Sequence, residues 1–150
     1  MKIYVASSWR NRLQPGVVRA LRAAGHEVYD FRHPHRTGPD RGQHGVGFSW
    51  SVIDPAWRGW SPEQYRQALD HPLARDGFLS DMDALRWCDA CVMVQPAGRS
   101  AALELGWAAG AGKLTVVLLA AGEPELMLRM ADHLCVDLDE VLAALSRHES

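Results

Sequence analysis

Short apolar runs alternate with amphipathic stretches along the whole chain. The runs are rich in β-branched and aromatic residues and are bounded by polar turns, which is typical of buried strands. They cover residues 2–6, 26–30, 90–94, 115–119 and, more weakly, 134–136. Between them, helical spacing of apolar residues and proline or serine start signals predict helices over 15–24, 62–69, 76–87, 100–111, 124–130 and 138–145.

This order of strands and helices favours right-handed parallel units. We predict an α/β fold: a doubly wound, mainly parallel five-stranded sheet with helices on both faces, as in flavodoxin-like and Rossmann-like proteins. No repeat or linker divides the 150 residues, so we expect a single domain. Ligands of such folds bind at the carboxyl ends of the strands.

Residues 32–60 interrupt the pattern with glycines, prolines and three of the seven histidines, at no clean period. The same stretch carries Trp50, Trp57 and Trp60, and solvating so much aromatic surface is unfavourable. We therefore predict an ordered insertion loop over a site, in which Trp50 contacts the substrate.

Composition and charge exclude several functions. The chain is 47% hydrophobic, as globular domains are, and its net charge of −2 offers no basic excess for a DNA or RNA polymer. Three cysteines fit a reducing compartment, and no stretch has the length of a signal peptide core or a membrane span. We expect a cytoplasmic protein without a membrane partner, whose ligand is a small molecule.

The most informative segment follows the third strand, where Gly98, Arg99 and Ser100 lead straight into the helix that bears Glu104. A helix N-terminus favours negative charge, so Glu104 is expected to stay ionised, and a phosphate or carboxylate can sit on Arg99 and Ser100. The alternative is that Glu104 only complements the helix dipole. The turn after the first strand contributes Ser7, Trp9 and Arg10 to the same predicted edge.

A second carboxylate is needed if Glu104 attacks a glycosidic carbon, because retaining glycosyl transfer pairs an ionised acid with a protonated one. Asp81, Asp83 and Asp89 are available, and spacing leaves open which of them takes part.

Cys88 and Cys91 have the C-x-x-C spacing of redox and zinc sites. Their place between a helix end and a strand argues against redox work. A zinc site would need a second ligand pair, which His33 and His35 could supply but nothing requires, so we predict no metal and no cofactor.

Three segments together resemble the nucleoside 2-deoxyribosyltransferase family and its relatives, the nucleoside 5′-monophosphate N-glycosidases. They are KIYVASS (residues 2–8), the pattern D-x-x-x-L-x-x-C-D from Asp81 to Asp89, and ALELGWAAGAGK (residues 102–113) before the apolar strand TVVLL. In this order and at these distances they span most of the fold.

The resemblance implies a covalent mechanism at an N-glycosidic bond. Glu104 falls on the family's nucleophile, Asp81 on the acid that handles the proton of the base, and Tyr4 on the tyrosine whose hydroxyl holds the nucleophile. It also implies a homodimer or higher homo-oligomer. The substrate would be a nucleoside or nucleotide.

One position departs from the family. The aspartate that commonly lies six residues before the nucleophile is replaced by Gly98, next to Arg99 and Ser100. An arginine and a serine suit a 5′-phosphate better than a free hydroxyl. This keeps two alternatives beside the transferase: a nucleoside 5′-monophosphate N-glycosidase, and a nucleotide-binding or signalling module without chemistry.

Overall fold

The computed structural model describes residues 1–34 and 47–149. They form two compact units, Met1–Asp30 with Trp87–Ser150, and Phe31–Arg86. None of the helices in the described part of the chain combines the length and the apolar composition that a membrane crossing requires.

A single five-stranded parallel sheet organises the first unit and confirms the predicted fold class. Its strands lie in the order β2-β1-β3-β4-β5, and every pairing is parallel. The strands are β1 (Lys2–Ala6), β2 (Glu27–Asp30), β3 (Ala90–Val94), β4 (Leu114–Leu118) and β5 (His133–Cys135). Nearly every residue of β1, β3 and β4 is buried, which explains why each strand is a continuous apolar run rather than an alternating one.

Helices cover both faces of this sheet. One face is covered by α1 (Gln14–Ala23) and by the C-terminal helix α5 (Leu138–Glu149). Buried residues of these two helices form the main core together with alternate strand residues, among them Ile3 and Val5. The helix α4 (Arg99–Gly110) contacts β1, β3 and β4 and contributes nothing to that cluster. Since successive side chains of a strand point to opposite faces, α4 covers the face that carries Tyr4.

The second unit contains α2 (Pro62–Leu69) and nearly all of α3 (Pro72–Trp87). Ser61 and Gln64 form the capping box that starts α2, as the sequence predicts. The helix α3 starts four residues before the predicted 76, and this boundary was wrong. The Nδ1 of His71 accepts the N–H of Leu73 at 3.1 Å, so an imidazole supplies a cap that the usual start signals do not include.

The described part of the insertion loop is residues 32–34 and 47–60, and its second stretch forms two short 3₁₀ turns, Trp50–Val52 and Trp57–Gly59. The ring of Trp50 contacts those of Phe48, Trp60 and Tyr65, with centroids 4.8–5.9 Å apart. Gly77 faces this cluster closely, because a Cβ added there would lie 2.8 Å from the Cβ of Phe48. His35 and His44 of the predicted loop lie outside the described residues.

The predicted helix over 124–130 is wrong. The segment is a 3₁₀ turn at Leu126–Met130, with its N–H groups bonded three residues back. Leu126 is 85% exposed and Met127 65% exposed. Since a short helix is stabilised mainly by burying an apolar face, this segment lacks the packing that would sustain α-helical turns.

Asp132 forms hydrogen bonds with Thr115 at the start of β4, and replacing Asp132 tests how much these bonds stabilise the protein. Its Oδ2 accepts the backbone N–H of Thr115 at 2.8 Å and the Thr115 hydroxyl at 2.9 Å. Those bonds, the backbone one first, lower the pKa of Asp132 below its ordinary value of 3.8. For Asp132→Asn we expect a loss of about 1 kcal/mol in the free energy of unfolding, because the carboxylate is largely exposed and its bonds are screened.

The pH dependence of that loss has a definite sign. A pKa lowered by folding adds stability that is complete above the unfolded value and disappears as the pH falls through the folded value. In urea unfolding, the wild type and Asp132→Asn should therefore differ most above the ordinary pKa of 3.8 and converge as the pH falls through the lowered pKa of Asp132, with the exposed Asp76→Asn as control. A difference that is constant with pH would contradict this assignment.

Candidate active site

Two loops meet where β1 and β3 end, at the carboxyl edge of the sheet. The Oγ of Ser7, just after β1, donates to the carbonyl of Val94 at 2.8 Å. The side chain of Asn11 reaches the same carbonyl at 3.0 Å and that of Pro96 at 3.2 Å. The structure thus brings the turn of Ser7 and the turn before α4 together, and the Ser7 hydroxyl is part of the framework between them.

Glu104 lies on the sheet-facing stripe of α4. Ala101, Leu105 and Ala108 on that helix are buried, and Glu104 shares their three- and four-residue spacing while remaining half-buried. Burial raises the pKa of the Cys91 thiol on β3, and the charges of Cys88 and Glu104 raise it further. The charge of the half-buried Glu104 therefore reaches a group of the sheet.

Tyr4 lies on the same side of the sheet. It is the register partner of Cys91 and is fully buried. Its ring stacks on that of Tyr29 on β2, with centroids 5.2 Å apart and planes 20° apart. Tyr4, Cys91 and Glu104 thus occupy one layer, between the sheet and α4.

The segment before Glu104 is open to solvent. Gly98 is the N-cap of α4 in an extended conformation and makes no side-chain cap, while Arg99 and Ser100 form the first helical residues. All three are exposed. The N–H groups of a first helical turn have no partner within the helix, so this turn can take an anion.

The remaining predicted residues of the first unit are Trp9 and Arg10, in the turn after β1. The side chain of Trp9 is 46% exposed, and Arg10 is exposed with its backbone N–H bonded to the Ser8 Oγ at 3.2 Å. Both follow the strand that carries Tyr4, as predicted. Their contact with a substrate stays a prediction.

Asp81 and Trp50 belong to the second unit. Asp81 is half-buried on α3. It lies three or four residues from Gly77, Ala84 and Leu85, and the last two of these are buried. Trp50 is half-buried in the aromatic cluster of Phe48, Trp60 and Tyr65. The roles of both side chains in a site stay predictions.

Cys88, Cys91 and Cys135 are buried thiols. Burial, opposed mainly by the charge of Lys113, raises the pKa of Cys88 to about 11, and burial also raises that of Cys91. A thiol that stays protonated is a poor nucleophile and a poor metal ligand, which argues against redox or zinc chemistry at this pair. Among residues 1–34 and 47–149 no group of three or more suitable side chains could hold a metal ion.

A cavity of about 280 Å³ lies elsewhere, at the amino end of β4, lined by Thr115, Lys113, Asp132 and His148 among others. Its polar groups are already used within the protein. The Lys113 Nζ donates to the Cys88 carbonyl at 2.6 Å, Asp132 holds Thr115, and the Nε2 of His148 lies 3.2 Å from that of His133. None of the candidate catalytic residues lines it, so it is not the candidate site.

Asn11 is the functional candidate whose contribution the sequence does not reveal. The sequence places it only in the turn with Trp9 and Arg10, where a polar residue is unremarkable. In the structure it is buried and bonded to the backbone at three residues, Val94, Pro96 and Leu13. The available signal is an amide in a turn between a strand and a helix, which is too common to single it out.

Solved structures of two enzymes are similar to this chain over most of its length. No protein-family model matches the chain, and no curated protein matches it significantly. A 2-deoxyribosyltransferase of Bacillus psychrosaccharolyticus superposes with a TM-score of 0.58 at 21% identity, over 95% of this chain and 90% of the other. The CMP N-glycosidase BcmB of Clostridium botulinum superposes with a TM-score of 0.50 at 17% identity, over 97% and 99%. The chain therefore shares the fold of these enzymes.

Proposed function

We propose that the protein cleaves or transfers at the N-glycosidic bond of a nucleoside or nucleotide, with Glu104 as the nucleophile. The observation that carries the proposal is the position of Glu104, half-buried on the sheet-facing stripe of α4 in the layer that holds Tyr4. The shared fold supports it, since one structural neighbour is a deoxyribosyltransferase and another is a CMP N-glycosidase.

The proposed reaction has two steps at the anomeric carbon. A carboxylate oxygen of Glu104 attacks C1′, the C1′–N bond breaks, and its electron pair leaves with the base, which takes a proton from Asp81. The resulting glycosyl ester is then attacked at C1′ by water or by a second base, whose proton returns to Asp81, and Glu104 is released. Two displacements with a positioned acid replace one difficult step. The Tyr4 hydroxyl would orient the attacking carboxylate.

The exposed turn at Gly98, Arg99 and Ser100 favours a 5′-phosphate on the substrate. A phosphate there would meet the backbone N–H groups of the first turn and the Arg99 guanidinium. We therefore favour a nucleotide substrate over a free nucleoside. Hydrolysis, the activity of the monophosphate N-glycosidases, is then the leading alternative to transfer.

Arg99→Ala tests the phosphate assignment. Losing one charge-assisted contact should raise the KM for a nucleoside monophosphate about tenfold, because such contacts contribute about 1.5–3 kcal/mol. The KM for the matching nucleoside should not change. Steady-state kinetics on both substrates provides the measurement, with the exposed Arg19→Ala on α1 as control. Equal effects on the nucleoside and the nucleotide would exclude a phosphate at Arg99.

The proposed function itself is tested by incubating the protein with nucleosides, deoxynucleosides, their 5′-monophosphates and NAD. Release of free base, followed by chromatography, is the expected result, and added second base separates transfer from hydrolysis. Binding of one of these ligands without turnover across the whole panel would favour a nucleotide-binding module instead.

We also propose that the protein works as a homodimer or higher homo-oligomer. The outer face of α4 is apolar: Leu103 is 75% exposed, Trp107 36%, and added Cβ atoms at Gly106 and Gly110 would meet nothing within 4 Å. Exposed apolar surface of this kind marks interaction sites. We propose a cytoplasmic location as well, which the low and odd cysteine count favours.

Leu103→Lys tests the role of this face. We expect light scattering on a sizing column to give a multiple of 16.6 kDa for the wild type and a smaller species for the variant, because a lysine cannot be buried unpaired at the centre of an interface. Leu126→Lys is the matched control, since Leu126 is 85% exposed on the 3₁₀ turn. An unchanged mass for Leu103→Lys would exclude this face.

A further inference from the structure

Asn11 joins three backbone segments at the carboxyl edge of the sheet. Only 2% of the residue is exposed. Its Nδ2 lies 2.9 Å from the Ser7 Oγ, 3.0 Å from the Val94 carbonyl and 3.2 Å from the Pro96 carbonyl. Its Oδ1 accepts the N–H of Leu13 at 2.8 Å. The side chain thus links the β1 turn, the end of β3 and the start of α1.

This arrangement requires a carboxamide. On one side of the Asn11 side chain the carbonyl oxygens of Val94 and Pro96 accept hydrogen bonds. On the other side the backbone N–H of Leu13 donates one. An aspartate has the same shape but would set an acceptor oxygen against both carbonyls. Replacing the amide removes the only hydrogen bond described for the Pro96 carbonyl, while the Val94 carbonyl keeps that of the Ser7 hydroxyl, so the segment that holds Pro96 should be released.

The segment that Asn11 holds leads directly to the proposed chemistry. Gly98 follows Pro96 by two residues and begins α4 without a side-chain cap. On its other side the segment is bonded to the end of β4 through Gln95. The Gln95 backbone N–H donates to the Leu118 carbonyl, and the Gln95 Oε1 accepts the backbone N–H of Ala120. Asn11 and the Ser7 hydroxyl supply the bonds to the turn after β1, and of these two Asn11 is the one that reaches Pro96.

We infer that Asn11 is a positioning residue that fixes the β3–α4 loop, residues 95–98, and through it the anion-binding turn and Glu104. The inference rests on the proposed function for its kinetic consequence, whereas its structural consequence is independent of any substrate. A hydrogen-bonded framework of this kind keeps reacting groups in place between turnovers, and small displacements of such groups reduce rates strongly.

The test uses Asn11→Asp in the full-length protein, with Asn11→Ser as a neutral second variant and Arg12→Ala, an exposed neighbour, as control. Hydrogen exchange should become about tenfold faster at the amides of residues 102–105 in both Asn11 variants, because a local opening loses buried hydrogen bonds. Exchange at residues 141–145 of α5 should stay unchanged and reports on global stability. Arg12→Ala should leave both regions as they are.

Kinetics separate positioning from plain stability. At saturating substrate and well below the melting temperature, kcat of the Asn11 variants should fall about tenfold, since the carboxylate is displaced in the bound state as well. Faster exchange at 102–105 with unchanged kcat overturns the positioning role. Unchanged exchange overturns it whatever the kinetics. If the wild type releases no base from any substrate but the variants exchange faster, the loop assignment stands and the proposed function fails together with the kinetic claim.

Discussion

Replacing Glu104 by Gln should reduce kcat for base release about a thousandfold or more, because the neutral amide cannot form the glycosyl ester. The change is nearly isosteric, so the half-buried position on the inner stripe of α4 is kept and the fold should be unaffected. Substrate binding, measured by calorimetry, should change much less than kcat. Initial rates on the best substrate of the panel provide the measurement.

Two further variants make the Glu104 result specific. Glu104→Ala opens space beside C1′, and azide should then restore part of the rate and yield a glycosyl azide. Glu63→Gln, an exposed glutamate of α2, is the control for loss of a surface charge and should retain full activity. Activity of Glu104→Gln within about tenfold of the wild type would remove the carboxylate from the mechanism, because loss of a nucleophile costs far more than that.

The strands could be predicted from the sequence because they are buried. A parallel strand covered on both faces is a mainly apolar run. The strands β1, β3 and β4 have that composition and lie within one residue of the predicted bounds. The fold class followed from their alternation with helices. The two wrong helix predictions, the start of α3 and the segment 124–130, concern mostly exposed residues, where local signals compete with one another.

The site could be predicted only in part, for a related reason. Glu104 is singled out because the turn of Gly98, Arg99 and Ser100 leads straight into its helix, whereas the role of Tyr4 comes from the family resemblance alone. Asn11 is not singled out, since its partners are backbone carbonyls of Val94 and Pro96, which are remote in the chain. A sequence records which side chains can form hydrogen bonds but not which distant carbonyls will need them.

Asp81→Asn should lower kcat about a hundredfold on substrates with a natural base, because general acid catalysis of this kind contributes about 10²–10⁴. The base leaves as an anion unless a proton is supplied to it. A 4-nitrophenyl glycoside needs no such proton, since its leaving group is already a stable anion. On that substrate the variant should retain nearly the wild-type rate, while Glu104→Gln stays inactive on both.

Asp83→Asn is the matched control for Asp81. The two aspartates are two residues apart on α3 and both half-buried, but Asp83 pairs with Arg86 at 3.5 Å in the i,i+3 spacing typical of a surface ion pair. Such pairs contribute little, so Asp83→Asn should leave kcat within about twofold. If Asp81→Asn slows the natural substrate and the nitrophenyl glycoside equally, Asp81 positions the substrate rather than protonating the base. If Asp83→Asn gives the larger loss, the assignment between the two aspartates is reversed.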